Sequence, residues 1–204
     1  QNENTILWPG KYPNLEAIEK EKRLNGDDKA WQREYMLKII ADEDQIVRKE
    51  WIQYYDEIPD DKQGYEQTLI GVDLAISEGN HADYSAIVVG HVFGYDENLK
   101  IYIERFPMNE RVDSPTTIEK IKEVYHQSRR YDKRPKLYIE DVGYQKSVIQ
   151  FLNRQGIPAE GFKLNGRDKR ERLDSIAYMI RSGRVFFPRE GSEALIKQLV
   201  YFGV

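Results

Sequence analysis

The residues around 69–89 (TLIGVDLAISEGNHADYSAIVVG) constrain the fold more than any other part of the chain. Leu69, Ile70 and Val72 form an apolar run that leads into a carboxylate at Asp73. A polar turn (Ser77, Glu78, Gly79, Asn80) follows, then a second β-rich run at Ser85, Ala86, Ile87, Val88 and Val89. Two such runs around a Gly/Asn turn predict a hairpin. The first run is too hydrophobic to lie in solvent, and an acid within it is costly unless it is paired or binds a cation. An Asp beside a turn commonly bonds its own backbone. A metal ligand at the end of a central strand is the competing reading, and residues further along decide between them.

Upstream of this hairpin the pattern is different. Residues 1–64 read as a helical linker or arm, and 65–204 as the folded domain. Trp8, Pro9, Gly10, Tyr12 and Pro13 suggest an extended aromatic arm. Asn14 is a suitable N-cap for a short helix over 15–24, closed by Asn25 and Gly26. Asp27 or Asp28 caps a second helix, with Trp31, Tyr35, Ile39 and Ile40 at helical spacing. A further segment with Val47, Trp51, Tyr54 and Tyr55 runs to Pro59, and the charged residues 60–64 form a hinge. The aromatic residues here are read as packing groups rather than stacking platforms for bases.

Downstream, 100–106 supplies a third strand and Ser114-Pro115 starts a helix whose apolar face carries Ile118, Ile121, Val124 and Tyr125. A fourth strand is expected at 136–140, then a helix with Val148, Ile149 and Leu152 inward. Another helix covers 168–182, with Leu173, Ile176, Ala177 and Ile180 inward and Gly183 ending it. A short strand at 185–188 and a last helix from Glu193 to about Val200 complete the chain. Three antiparallel strands followed by helix, strand and helix give an α/β fold, a mixed sheet flanked by helices. A chain of 204 residues suffices for one such domain plus an appendage.

Two expected strands end in acids: Asp73 on the first, Glu140 and Asp141 on the fourth. If these strands are neighbours, the acids face each other, and two close carboxylates repel unless a cation neutralises them. The chain has no cysteine, which removes disulfides and thiolate metal sites. An all-oxygen ligand set favours Mg²⁺ or Mn²⁺ over Zn²⁺. Two such ions can clamp the attacking and leaving oxygens of a phosphodiester. Alternation puts Leu137, Ile139 and Asp141 on one face and Tyr138 and Glu140 on the other, leaving the choice between Glu140 and Asp141 open. His81 and His126 have no ligand partners at recognisable spacing, and His91 reads as a strand residue.

Three ordered segments, GVDLAISEGNHADYSAIVVG, YIEDVGYQKSVIQFL and KLNGRDKRERLDSIAYMIRSGRVFFP, resemble the nuclease domain of the large terminase subunit of tailed bacteriophages. The resemblance covers about residues 65–204. It implies a ribonuclease-H-like fold and an endonuclease that cuts concatemeric double-stranded viral DNA during packaging by two-metal hydrolysis, with little sequence specificity. The family's first-strand acid, and its acid three residues before a glycine on the fourth strand, map onto Asp73 and Glu140 (Glu140-Asp141-Val142-Gly143). Asp141 is the second choice, and Asp83 matches a recurrent acidic position beside the metals. A third ligand is expected in an Asp-Asp-x-x-Asp type motif beyond Val204, and Asp174 is better explained as a solvated helix residue. The segment before residue 65 looks like the connection from the family's ATPase domain, so ATPase activity is expected only in a region outside this chain.

The basic residues then have a place, since Asn165-Gly166 suggests a loop that presents Lys163, Arg167 and Lys169 beside the metal site. Lys146, Lys163, Arg167, Lys169, Arg170 and Arg172 are expected to hold DNA phosphates beside the metals, giving salt-sensitive binding that positions without reading sequence. The other basic cluster, 128–134, is read as a solvated surface. A net charge of −4 argues against coating of nucleic acid through a global positive field, but not against a local basic strip. The small terminase subunit and the portal of the procapsid are the implied partners. The implied location is host cytoplasm, transiently at that portal; no run approaches the roughly 20 apolar residues of a membrane span and no signal pattern opens the chain. Resolvase- or integrase-type nucleases are the nearest alternative. An actin-like or sugar-kinase ATPase would need a small phosphate turn after Asp73, where Leu74-Ala75-Ile76 stands instead. A DNA-binding or docking module that never cuts is the non-enzymatic alternative.

Overall fold

A mixed eight-stranded sheet carries the structure. In a computed structural model, residues 45–74, 84–140, 145–163 and 168–202 are described, together with Asn14 and Glu16. The strands are β1 (Gln53–Tyr55), β2 (Tyr65–Asp73), β3 (Ser85–Phe93), β4 (Lys100–Ile103), β5 (Met108–Glu110), β6 (Lys136–Glu140), β7 (Ala159–Phe162) and β8 (Val185–Pro188). Among the described residues the α-helices are α1 (Ser114–Gln127), α2 (Gln145–Arg154), α3 (Lys169–Arg181) and α4 (Glu193–Val200). Ile46–Phe202 form one compact unit. The expected helices over 15–24 and around Trp31–Ile40 lie outside the described residues, apart from Glu16, which is helical and exposed.

The strand order is β1-β8-β4-β3-β2-β6-β7, with β5 paired to β3. The central hairpin forms as the two β-rich runs predict: β2 and β3 are antiparallel, with Ile70 opposite Val89 and Val72 opposite Ile87. The condition that the sequence left open is met, because β2 and β6 are parallel neighbours with Ile70 beside Leu137 and Val72 beside Ile139. β7 continues the parallel set beyond β6, and β4, β8 and β1 extend the other side. Only β3 runs against the rest, so β2, β6 and β7 all finish at one edge of the sheet, where β3 begins.

Both faces are covered by helices, unequally. Ile70, Val72, Ile87, Val89, Leu137 and Ile139 form one core with Ile121 and Tyr125 of α1 and Val148 and Leu152 of α2. Full burial of side chains such as Ile70, Leu137 and Ile139 contributes roughly 1.5–3 kcal/mol each. On the opposite face Val185 and Phe187 pack with Leu173, Ala177 and Ile180 of α3 and with Ile46, Val47 and Ile52. α4 adds Leu195, Ile196 and Leu199 to that side. Helix limits follow local chemistry: the Asp113 carboxylate accepts from the Thr116 N–H at the start of α1, and Asp168 accepts from the Glu171 N–H at the start of α3. Gly183 ends α3 with φ +69°, a conformation that suits glycine.

Three differences from the sequence reading have physical causes. Within the stretch expected as a helical arm, Gln53–Tyr55 is an edge strand, held by a parallel ladder to β8. β5 and β7 were not expected, since each is three or four residues with no alternating pattern and is held by its neighbour's backbone. Ile176, expected inward on α3, is 54% exposed because Leu173, Ala177 and Ile180 already fill the buried stripe.

Candidate metal centre

Asp73 is the last residue of β2 and Glu140 the last of β6. The parallel register ends with Val72 beside Ile139, so the next step along both strands puts Asp73 beside Glu140. Ile70, Val72, Leu137 and Ile139 all enter the core on the α1/α2 side. Alternation therefore turns Asp73 and Glu140 together onto the opposite face. Asp73 is exposed and Glu140 half-buried. The space there is open: a Cβ on Gly71, two residues back on the same face, would meet nothing within 4 Å. On the other side of Asp73 the neighbour in register is the small Ala86.

One hydrogen bond ties the ends of the two acid-bearing strands. The Gln145 side-chain amide, at the first residue of α2, donates to the Leu74 carbonyl at 3.2 Å. Gln145 is 1% exposed, so this bond is shielded from water, and losing its donor would leave a buried carbonyl short of a partner. It fastens the residue after Asp73 to the helix that follows β6.

Basic side chains gather at the same sheet edge. Glu140 is in register with Phe162 at the end of β7, and Lys163, exposed, comes immediately after. Lys169 and Arg170, both exposed, begin α3, and Lys146, exposed, begins α2. The Arg172 guanidinium folds back to donate to the Asp168 carbonyl at 3.4 Å. Asp83, Asp141 and Arg167 lie outside the described residues. Among the described residues no cluster of three or more His, Cys, Asp or Glu could hold a metal. The paired carboxylates, hard oxygen donors on an open face, fit a divalent cation as two of its ligands.

The other basic cluster is at the opposite end of the sheet and is structural. Arg130 donates to the Pro59 carbonyl at 3.2 Å, and Tyr131 to the Asp60 carboxylate. The Lys133 ammonium donates to the Tyr65 and Glu66 carbonyls at 2.9 and 3.1 Å. These bonds clamp the approach to β2, a role the reading as a solvated surface did not include; Arg129 and Arg134 are exposed as that reading had them. Asp174 is exposed on α3.

His91 lies in β3 as read, but its surroundings could not be foreseen. It is 2% exposed, with Nδ1 2.8 Å from the Thr68 hydroxyl and Nε2 3.4 Å from the Glu104 carboxylate. The Tyr65 hydroxyl is 2.7 Å from that of Thr68, and Ser128 donates to Glu104 at 3.3 Å. A neutral imidazole protonated at Nε2 satisfies this chain from end to end. The hydrogen bond from His91, helped by Ser128 and the charge of Arg130, holds the Glu104 carboxyl below its usual range. Tyr84 and Arg111 also escaped the sequence reading; they meet at the edge where β3 begins, the guanidinium 4.7 Å from the ring centre. No sequence signal joins them, because the contact depends on β5.

Residues 70–202 match the family described as Terminase RNaseH-like domain. No curated protein sequence matches the chain. Among solved structures, the large terminase nuclease of thermophilic phage G20c with bound zinc is 18% identical, 77% of this chain and 84% of that one aligning with a TM-score of 0.44. The large terminase nuclease domain of bacteriophage SPP1 with bound manganese is 17% identical, over 75% and 79%, with a TM-score of 0.44. The human cytomegalovirus terminase nuclease domain is 14% identical, over 74% and 76%, with a TM-score of 0.48.

Proposed function

Because the chain belongs to the family of terminase RNaseH-like domains, we propose that it is a divalent-metal-dependent endonuclease. Its substrate in this reading is concatemeric double-stranded viral DNA, cut with little sequence specificity during genome packaging. The observation that carries the reading is the parallel register of β2 and β6, which brings Asp73 and Glu140 side by side on an open face. In this role the two carboxylates hold Mg²⁺ or Mn²⁺, and a bound cation supplies Lewis-acid activation of the phosphodiester and of water. A two-ion arrangement needs further oxygens, and Asp141 and Asp83 are the proposed contributors on the strength of the resemblance.

The rest of the site grips the substrate. Lys146, Lys163, Lys169 and Arg170 stand at the same edge as the acids, so phosphates drawn to them lie over the carboxylate pair. Arg167 and Arg172 are proposed to extend this strip. Cations here act locally, which reconciles phosphate binding with a net charge of −4. A small terminase subunit and a portal ring in the host cytoplasm are the proposed partners and setting.

The test is plasmid cleavage with Mn²⁺, Mg²⁺ or EDTA, using the wild type, Asp73→Asn and Glu140→Gln. Nicking and linearisation should require metal and disappear in both variants. Cutting in EDTA, or full activity in Asp73→Asn, would refute the assignment. A DNA-binding module that never cuts is the second reading, favoured by the presence of only two adjacent carboxylates among the described residues. Such a module would bind duplex equally with or without EDTA and would leave it uncut whether Mn²⁺, Mg²⁺ or EDTA is present.

A further inference from the structure

The order of charges along the carboxylate edge has a second half. β5 pairs with the first residues of β3, with Ser85 opposite Glu110 and Ala86 opposite Asn109. One more step brings Tyr84 opposite Arg111, just beyond both strands, where the guanidinium lies 4.7 Å from the ring centre. Ala86 is also the register partner of Asp73. Across this edge the sequence of groups is therefore Arg111 with Tyr84, then Asp73, then Glu140, then Lys163. From β5 to β7 there are four strand-to-strand steps, about 19 Å at the usual spacing. Successive phosphates of one DNA strand advance about 3.4 Å along the duplex axis, so the edge spans roughly six of them, with the acids near the middle.

Arg111 keeps its hydrogen-bond donors available at this edge. Both it and Tyr84 are exposed, Tyr84 at 52%. Among the described residues its guanidinium makes no ion pair and no hydrogen bond, whereas Arg105, Arg130, Arg172, Arg184 and Arg189 each donate to an oxygen of the chain. The nearest acids in sequence are already occupied: Glu110 pairs with Lys120 at 3.0 Å, and Asp113 caps α1. Stacking on the tyrosine ring occupies the face of the guanidinium and restrains its rotamers, while its N–H donors remain available around the rim.

We propose that Arg111, stacked on Tyr84, is a phosphate-binding contact on the flank of the carboxylate pair opposite Lys163, so that the strand being cut is held on both sides of the scissile bond. This rests on the nuclease reading above and adds a binding residue to it. Tyr84 is a positioning residue for Arg111.

The test is equilibrium binding of the full chain to a duplex oligonucleotide in EDTA across a salt series, with Arg111→Gln, Tyr84→Ala, Lys163→Gln and, at the far end of the sheet, Arg129→Gln. Arg111→Gln should bind roughly three- to tenfold more weakly, and the slope of log affinity against log salt should shrink by about one contact. Lys163→Gln should behave the same way, Tyr84→Ala should show a smaller loss with the slope nearly kept, and Arg129→Gln should match the wild type. Arg111→Gln binding as tightly and with the same slope as the wild type, while Lys163→Gln loses affinity, overturns the proposal and leaves the nuclease reading standing. A wild type that does not bind duplex at all overturns both.

Discussion

At the scale of single residues, two polar side chains in the interior have consequences that can be measured. Gln145 is buried and joins α2 to the carbonyl after Asp73. Replacing it with the similarly sized, apolar Gln145→Met leaves the buried Leu74 carbonyl without this donor and should cost about 1–3 kcal/mol of stability, and weaken Mn²⁺ binding measured by calorimetry. Val148→Ala on the same helix removes packing instead, and should lower stability without moving Mn²⁺ affinity. Equal Mn²⁺ affinity in Gln145→Met and the wild type would show that the bond does not position Asp73. Glu104 gives a pH prediction. Its carboxyl is held below the ordinary glutamate value of about 4.5 by the hydrogen bond from His91, helped by Ser128, so as pH falls below that value the unfolded chain binds more protons than the folded one. This part of the stability is present above about pH 4.5 and is lost as pH falls through the folded value. Urea unfolding at pH 7 and pH 4 should therefore show a smaller acid loss for Glu104→Gln, which has already lost the contribution at pH 7. Identical acid losses in both proteins would contradict this.

At the scale of elements, the site depends on where strands end and helices begin. α3 starts inside the basic segment, at Lys169, and the Asp168 carboxylate, accepting from the Glu171 N–H at 2.7 Å, fixes that start. Asp168→Ala should cost about 0.5–2 kcal/mol, the range measured for lost N-caps, and should lower duplex affinity by loosening Lys169 and Arg170. A thermal melt and a binding isotherm check both halves, and an unchanged melt would mean that the cap contributes nothing. The elements also show which signals a sequence carries. β2, β3 and β6 were legible as apolar, β-rich runs bounded by turns, α1 because Ser114-Pro115 opens it ahead of an apolar face, and α3 because its apolar residues recur at helical spacing up to Gly183. β1, β5 and β7 were not legible, since strands of three or four residues exist only where a neighbour offers its backbone.

At the scale of the whole molecule, the sheet separates two kinds of basic residue. Arg130 and Lys133 sit at the end where β2 and β6 begin and are spent on backbone carbonyls; Lys146, Lys163 and Lys169 sit where those strands finish, facing solvent. Reading 128–134 as a solvated surface missed the first role, because its acceptors are backbone carbonyls of residues about 70 positions away. The residues alone determined the α/β class, the hairpin, the presence of acids where two strands end, and the family to which the chain belongs. Those depend on local periodicity and on residue type, which a linear string records. Tertiary structure alone decided that β2 and β6 are neighbours, that Asp73 and Glu140 share the open face, and that Gln145 reaches Leu74 across 71 positions of sequence. It also decided that Arg111 stacks on Tyr84. Each of these is a pairing between segments distant in the chain, and pairings are chosen by the packing of the whole sheet.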